Sequence, residues 1–295
     1  MIKGILYLIS ASFCFALSTV FLKTGMNAPY FVSPATATFA RFFLGFIVFA
    51  GYMVYKKEPA RPNNLKLVAA RGILNTVAVI FFFAGIKYTT ITKANILNLT
   101  YPAFVFLVSP LITGERSKAI DYVFLLATLA GSWLIVMGGP SAGFSNVNKG
   151  DLFALLSGVI AGFGISCLRE ARKNDSTQMI LAYQMSIGSL VCFFLMLPGF
   201  KMPGSAGLWF LFLTSVMTVA GQFLITEGYM YISAALGSVV SGTGIFFAAM
   251  LGITFFNDPL TLNIIIGGLL IFLAMSGVSG VLAKTKRYIP FIDFD

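Results

Sequence analysis

Residues 85–115, GIKYTTITKANILNLTYPAFVFLVSPLITGE, and residues 228–258, GYMYISAALGSVVSGTGIFFAAMLGITFFND, align without a gap at a shift of about 143 residues. Gly85 falls on Gly228, Tyr88 on Tyr231, Thr100 on Thr243, Phe104 on Phe247 and Glu115 on Asp258. The same shift holds upstream, where Ser33 meets Ser176, Gly45 meets Gly188 and Val48 meets Val191. Nearer the N-terminus a shift of about 146 puts Lys3, Gly4, Leu6 and Leu22 on Lys149, Gly150, Leu152 and Leu168. A match carried through half of the chain is the mark of an internal duplication.

Composition sets the class. The 295 residues are 58% hydrophobic and 10% charged, whereas soluble domains carry about 25% charge. With 31 Phe and a mean hydropathy of +0.91, the chain has too little polar surface to face water on all sides. A net charge of +10 would suit nucleic acid, but the charges sit in short gaps between apolar runs and read as membrane-flanking anchors. The expected partner is therefore the lipid bilayer and not nucleic acid. The chain has no histidine, which removes the commonest general base, proton shuttle and zinc ligand together. Cys14, Cys167 and Cys192 lie inside apolar runs and read as buried thiols, neither a disulfide framework nor a metal site. No metal and no cofactor is expected.

An apolar run of about 20 residues crosses a bilayer core. Ten such runs are expected, at 4–22, 34–55, 67–86, 94–112, 119–138, 151–168, 178–198, 208–230, 234–256 and 262–283. The first has only Lys3 ahead of it and no small-residue cleavage site after it, so it reads as a retained span. With the N-terminus inside, the inner gaps hold Lys3, Lys56, Lys57, Arg61, Lys66, Arg116, Lys118, Arg169, Arg172, Lys173, Lys284, Lys286 and Arg287. The outer gaps hold only Lys23, Lys87, Lys93, Lys149 and Lys201. That bias places both termini in the cytoplasm. Five spans per half is an odd number, so the second half enters the membrane from the opposite side. The expected fold is an all-α membrane protein, ten transmembrane helices in two inverted five-helix repeats. The repeats cover residues 1–139 and 147–285, with a cytoplasmic tail at 286–295. The setting is the plasma membrane, in bacteria the inner membrane.

Ionisable groups inside spans are costly and are functional candidates by default. Arg41 lies about 10 Å below the outer face and Arg71 about 6 Å from the inner one, at 1.5 Å per residue. Glu227 is at a depth similar to that of Arg71, near the inner end of span eight. Simpler roles exist for each: Arg71 snorkelling to headgroups, Glu227 neutralising a neighbour, Arg41 bonding backbone carbonyls. Uncharged polar residues form stripes as well. Thr38 shares a face with Arg41, and Asn75 with Arg71. Asn95 and Asn98 lie on one face of span four with Tyr101 beside them, Ser238 and Ser241 take the equivalent face of span nine, and Gln222 lies on span eight. Gln184 stands opposite Arg41 in the repeat. Stripes on four helices, paired by the repeat, point to a shared polar cavity. Arg71 and Glu227, of opposite charge and similar depth, are expected as parts of an inner gate or coupling site. Arg41, with no acid at matching depth, is expected to anchor an anionic group.

Several of these stretches resemble the drug/metabolite transporter superfamily in its ten-span, EamA-type form. They are Arg41 within TATFARFFLGF, the Gly85-Ile-Lys-Tyr-Thr exit of span three, Ala94 through Pro102 with Phe104, the Gly114-Glu115 pair echoed as Asn257-Asp258, and Gly131. The chain departs from the pattern at Phe15-Ala16 and at Ile245, opposite Pro102. The resemblance implies a secondary transporter of a small organic metabolite, and gradient drive by protons, exchange against a counter-substrate and facilitated diffusion all remain open. The GxxxxGK[ST] phosphate loop is absent, so direct ATP drive is not expected. An intramembrane enzyme would need a base beside a nucleophile or paired acids, which the chain lacks. A lipid-carrier flippase and a non-transporting receptor are the alternatives.

Overall fold

The computed structural model describes residues 1–26, 29–88, 97–98, 100–115, 118–137, 149–256 and 262–278. Asn95, Asp258 and the tail at 286–295 lie outside them. The described residues are helical and contain no strand. The helices are α1 (Ile2–Met26), α2 (Pro34–Lys56), α3 (Leu65–Tyr88), α4 (Tyr101–Thr113), α5 (Ala119–Met137) and α6 (Lys149–Ala171). They are followed by α7 (Thr177–Met196), α8 (Ser205–Gly228), α9 (Ala234–Ser241), α10 (Thr243–Phe256) and α11 (Leu262–Val278). Seven stretches are long and apolar enough to cross a membrane: six in α1–α3 and α6–α8, and Ala234–Phe256 taken as one. Shorter apolar helices lie at Tyr101–Thr113, Ala119–Gly131 and Ile265–Ala274.

Local chemistry sets the ends. The Ser33 hydroxyl accepts from the Thr36 N–H at the start of α2, and Ser176 accepts from Met179 N–H at the start of α7. Pro34 and Pro102 sit in first turns, where a missing N–H is harmless. Gly114, at φ 68°, closes α4 in the left-handed conformation that glycine adopts without penalty. The ninth run, read as one helix from the sequence, is two helices that meet at Gly242. Gly242 and Gly244 favour no helix, and a Cβ at Gly242 would come within 2.5 Å of Thr128 on α5. The break therefore follows from a close helix approach and needs no proline.

Large apolar side chains point outward, among them Leu111, Val54 and Tyr55, each at least 79% exposed. Arg71, Asp151, Gln184 and Arg172 are buried. Lipid as the surrounding solvent explains that inversion.

Packing is pairwise. α1 lies on α8, α3 on α6, α2 on α7 and α5 on α11, with α4 on α6 and α10 on α1. Glycines set the closest approaches. A Cβ on Gly45 would meet Met185 Sδ at 2.8 Å, and one on Gly188 would strike the Phe42 ring. Gly85 lies against Gly150 and Ala154, and Gly228 against Gly4 and Leu8.

These contacts also fix direction. The starts of α1, α3, α7 and α9 gather with the ends of α4, α6 and α8 at what we call the first end. The large buried cluster of Leu8, Val68, Phe106, Leu168, Ile180, Tyr229 and Val239 lies there. Among the described residues a second cluster on α2, α7 and α8 runs along the bundle from Met53 and Met179 to Phe42 and Cys192, and smaller groups lie toward the second end, Ala16 with Val20 and Leu251, and Val32 with Ala37 and Leu211.

Candidate functional site

The first end is sealed by a polar network centred on the turn between α6 and α7. Arg169 Nε donates to Glu115 Oε1 at 2.8 Å. Its Nη1 donates to the carbonyls of Tyr229 and Met230 at 2.8 and 3.1 Å. Glu115 also accepts from Ala234 N–H at 3.2 Å, at the N-terminus of α9, where the unpaired amides of a helix favour a carboxylate. Arg172 donates to the carbonyls of Thr226 and Asp175, and lies 3.5 Å from Glu227 Oε1. Burial pulls the Arg172 guanidinium below its ordinary pKa, and Glu227 opposes that shift. Thr177 donates to Glu227 at 2.6 Å. Across the turn, Asp175 accepts from the backbone of Asn63 at 2.6 Å, and Asn63 Nδ2 donates to the Asn174 carbonyl. Tyr183 reaches the Ala60 carbonyl at 3.0 Å. One seven-residue turn, Ala171–Thr177, thus ties α6 and α7 to the loop ahead of α3 and to the end of α8, while Arg169 ties α6 to α4 and α9.

Immediately inside this lock lies a second polar layer. Arg71, six residues into α3 and so about 9 Å from its start, is 3% exposed. Gly164 of α6 lies beside its guanidinium, 3.1 Å from Nη1 to an ideal Cβ. Tyr229 and Cys167 are within its electrostatic range. Tyr229 is fully buried under α9, where Gly237 leaves room for its ring. Ser241 lies beside the phenols of both Tyr229 and Tyr101. Gln184 on α7 is fully buried and donates to Gln222 on α8 at 3.2 Å, and its backbone lies against Gly72. The Arg71 Nε, Gln184 Oε1 and Tyr229 hydroxyl have no hydrogen-bond partner among the described residues.

Several expected site residues thus come together: Arg71, Tyr101 and Ser241 around Tyr229, and Gln184 with Gln222. Others lie elsewhere. Asn98 donates to Ser157 on α6 at 2.8 Å, Thr38 bonds within its own helix to Pro34, and Ser238 bonds to Ala235. Asn75 is half-buried on α3. Arg41 is half-buried, 5.0 Å from the centre of the Phe42 ring and beside Cys192 of α7. Cys192 is eight residues, about 12 Å, beyond Gln184. Arg41 therefore faces the second-end half of α7, and Arg71 is the arginine nearer to Gln184. Glu227 pairs with Arg172 and Thr177 in this conformation and not with Arg71.

Sequence reasoning missed Tyr229, Ser157 and the arginines of the lock. Arg169 and Arg172 had read as membrane-flanking anchors. A signal for Tyr229 existed, because the repeat sets it opposite Ile86. No signal for Arg169 existed, since two of its three acceptors are backbone carbonyls and the third, Glu115, lies 54 residues away in the chain. No group of three or more His, Cys, Asp or Glu that could hold a metal occurs among the described residues.

Apolar spans facing outward around buried cations define a polytopic membrane protein. The chain belongs to the EamA-like transporter family, whose model matches residues 2–137 and 148–280. The pseudopaline exporter CntI of Pseudomonas aeruginosa is 27% identical over 286 residues, 97% of each chain. Solute carrier family 35 member G1 of Mus musculus is 22% identical over 94% of this chain and 78% of its own. A solved crystal structure superposes with a TM-score of 0.78 at 20% identity, covering 95% of this chain and 97% of that one, which shows a shared fold. The resemblance to drug/metabolite transporters is borne out. The protein is a multi-pass membrane protein of a transporter family.

Proposed function

We propose that the protein is a secondary transporter, not an enzyme, which moves a small polar metabolite by alternating access. The cargo is amino-acid-like or another compound bearing a carboxylate or phosphate. The observation that carries this reading is the lock at the first end, where ion pairs and carbonyl contacts seal a buried polar layer. In a rocking mechanism this is the state closed toward the first end. Ten spans in two inverted repeats, at 1–139 and 147–285, are supported by reciprocal contacts. Gly45 on Met185 and Gly188 on Phe42 exchange under the repeat, as do Gly85 on Gly150 and Gly228 on Gly4.

Arg41, in the second-end half, is placed to meet an anion first. The test is counterflow of radiolabelled metabolites in proteoliposomes. Trans-stimulated uptake is expected for at least one carboxylate or phosphate compound. Arg41→Lys should keep part of it at weakened affinity, and Arg41→Gln should lose it while remaining folded. Binding without flux in every compound tried would favour a receptor, and flux of lipid carriers alone would favour a flippase.

Glu227, between Arg172 and Thr177, is proposed as the gate and coupling carboxylate. Glu227→Gln should abolish uptake driven by a pH gradient and leave exchange intact. Unchanged pH dependence, affinity and rate together would remove it from both roles.

We place both termini in the cytoplasm, which makes the first end cytoplasmic. Lys66 and Lys201 are exposed. In intact cells, a cysteine at Lys201 should react with a membrane-impermeant maleimide and one at Lys66 should not. The reverse pattern would invert the orientation.

A further inference from the structure

Among the described residues three arginines at or just inside the first end are buried or half-buried, and two of them are fully engaged. Arg169 bonds a carboxylate and two carbonyls. Arg172 bonds two carbonyls and pairs with Glu227. Arg71 is the most buried of the three, yet it makes no hydrogen bond or ion pair among the described residues, and its Nε faces no acceptor. Gly164 of α6 lies against its guanidinium, and Val68, one turn before it on α3, belongs to the main apolar cluster. A guanidinium left bare in such a place costs several kcal/mol. No acid pairs with it among the described residues: Glu227 is held by Thr177 and Arg172, and Glu115 by Arg169.

A second unpaired group adjoins it. The Tyr229 hydroxyl is buried and makes no hydrogen bond among the described residues; Ser241 lies beside it, and Arg71 is within its electrostatic range. Both residues break the repeat, where Thr214 and Ile86 stand in their places, so packing common to the two halves does not call for either. We propose that Arg71 and the Tyr229 hydroxyl form a buried anion subsite that takes a carboxylate or phosphate group. The guanidinium fork matches the flat pair of oxygens, and the phenol supplies one further donor. The unpartnered Oε1 of Gln184, on the helix packed against Gly72, offers an acceptor for an ammonium or hydroxyl on the same ligand. That this ligand is the cargo rests on the transporter reading above; that the site binds anions does not.

The site is also wired to the lock. The same Tyr229 whose hydroxyl is proposed for the subsite gives its backbone carbonyl to Arg169. An anion that draws the phenol toward Arg71 therefore acts on the residue that holds the first end shut.

The test is equilibrium binding of radiolabelled acetate and of inorganic phosphate to the purified full-length protein in detergent, at fixed ionic strength, for wild type, Arg71→Lys, Arg71→Gln and Tyr229→Phe. Tyr229→Phe removes one hydroxyl and keeps the ring under α9, so it reports even if an Arg71 variant fails to fold. At least one probe should bind saturably. Arg71→Gln should abolish that binding, Arg71→Lys should retain part of it, and Tyr229→Phe should weaken it about tenfold or more, as expected for a hydrogen bond to a charged group. Acetate preference would assign a carboxylate ligand, and phosphate preference a phosphorylated one. Undiminished binding in Arg71→Gln or in Tyr229→Phe, or no saturable binding of either probe to wild type, would overturn the subsite. Saturable binding without counterflow would leave the subsite standing and overturn the transporter reading instead.

Discussion

Arg169→Ala is expected to unlock the first end. The substitution leaves the Glu115 carboxylate and the Tyr229 and Met230 carbonyls without their shared donor. Removing one partner of a fully buried pair costs about 3–5 kcal/mol. The side chains here are 18% and 24% exposed, so about 2 kcal/mol is the better figure. That loss falls on the locked conformation alone, and it moves the balance between conformations by more than tenfold. Ala235, 4% exposed at the start of α9, is a suitable reporter, because α9 is held by Glu115 through its first amide. A cysteine there should react slowly with a maleimide in an otherwise native chain and at least tenfold faster in the Arg169→Ala background. Exchanging the charges, with Glu115→Arg and Arg169→Glu together, should restore little. The ion pair would return, but the two carbonyl contacts and the helix cap would not. An unchanged labelling rate in Arg169→Ala would mean that apolar packing alone keeps this end closed.

The second large effect is on folding. α2 and α7 cross where Gly188 meets the Phe42 ring and Gly45 meets Met185. Phe42 is 2% exposed and Met185 likewise, so neither can swing into lipid. Gly188→Leu should therefore prevent the crossing, at a cost at or beyond the upper end of the ~1–3 kcal/mol typical of overpacking. The expected result is loss of the monodisperse peak in size-exclusion chromatography. Phe42→Ala should be milder alone, and combined with Gly188→Leu it should recover part of the folded yield. Failure of that pair to recover any folded protein, with Phe42→Ala itself folded, would show that backbone approach and not the ring sets the limit. At Gly51, where nothing lies within 4 Å of an added Cβ, Gly51→Leu should leave the yield unchanged.

Much of this was written in the chain itself. Apolar runs of about 20 residues have one stable solution in a bilayer, because backbone groups in hydrocarbon must bond within their own segment. Hence 58% hydrophobic content with 10% charge determined the class, and the family followed from local motifs around Arg41, Gly85 and Glu115. The alignment paired Ser33 with Ser176 and Gly45 with Gly188; the structure makes the first pair two helix caps and the second the two sides of one crossing. The interior was different. Whether Arg71 meets Glu227 or Tyr229, and whether Arg41 lies near Gln184 or Cys192, depends on how helices far apart in sequence are rotated and slid against one another. Depth along a helix can be counted in residues, but azimuth cannot be assigned until its neighbours are known. The ninth run broke at Gly242 because Thr128, more than a hundred residues away, comes too close for a side chain. Carbonyl acceptors have no sequence signature at all, so the arginines of the lock were recognisable only once α8 and α9 had brought their backbone to Arg169 and Arg172.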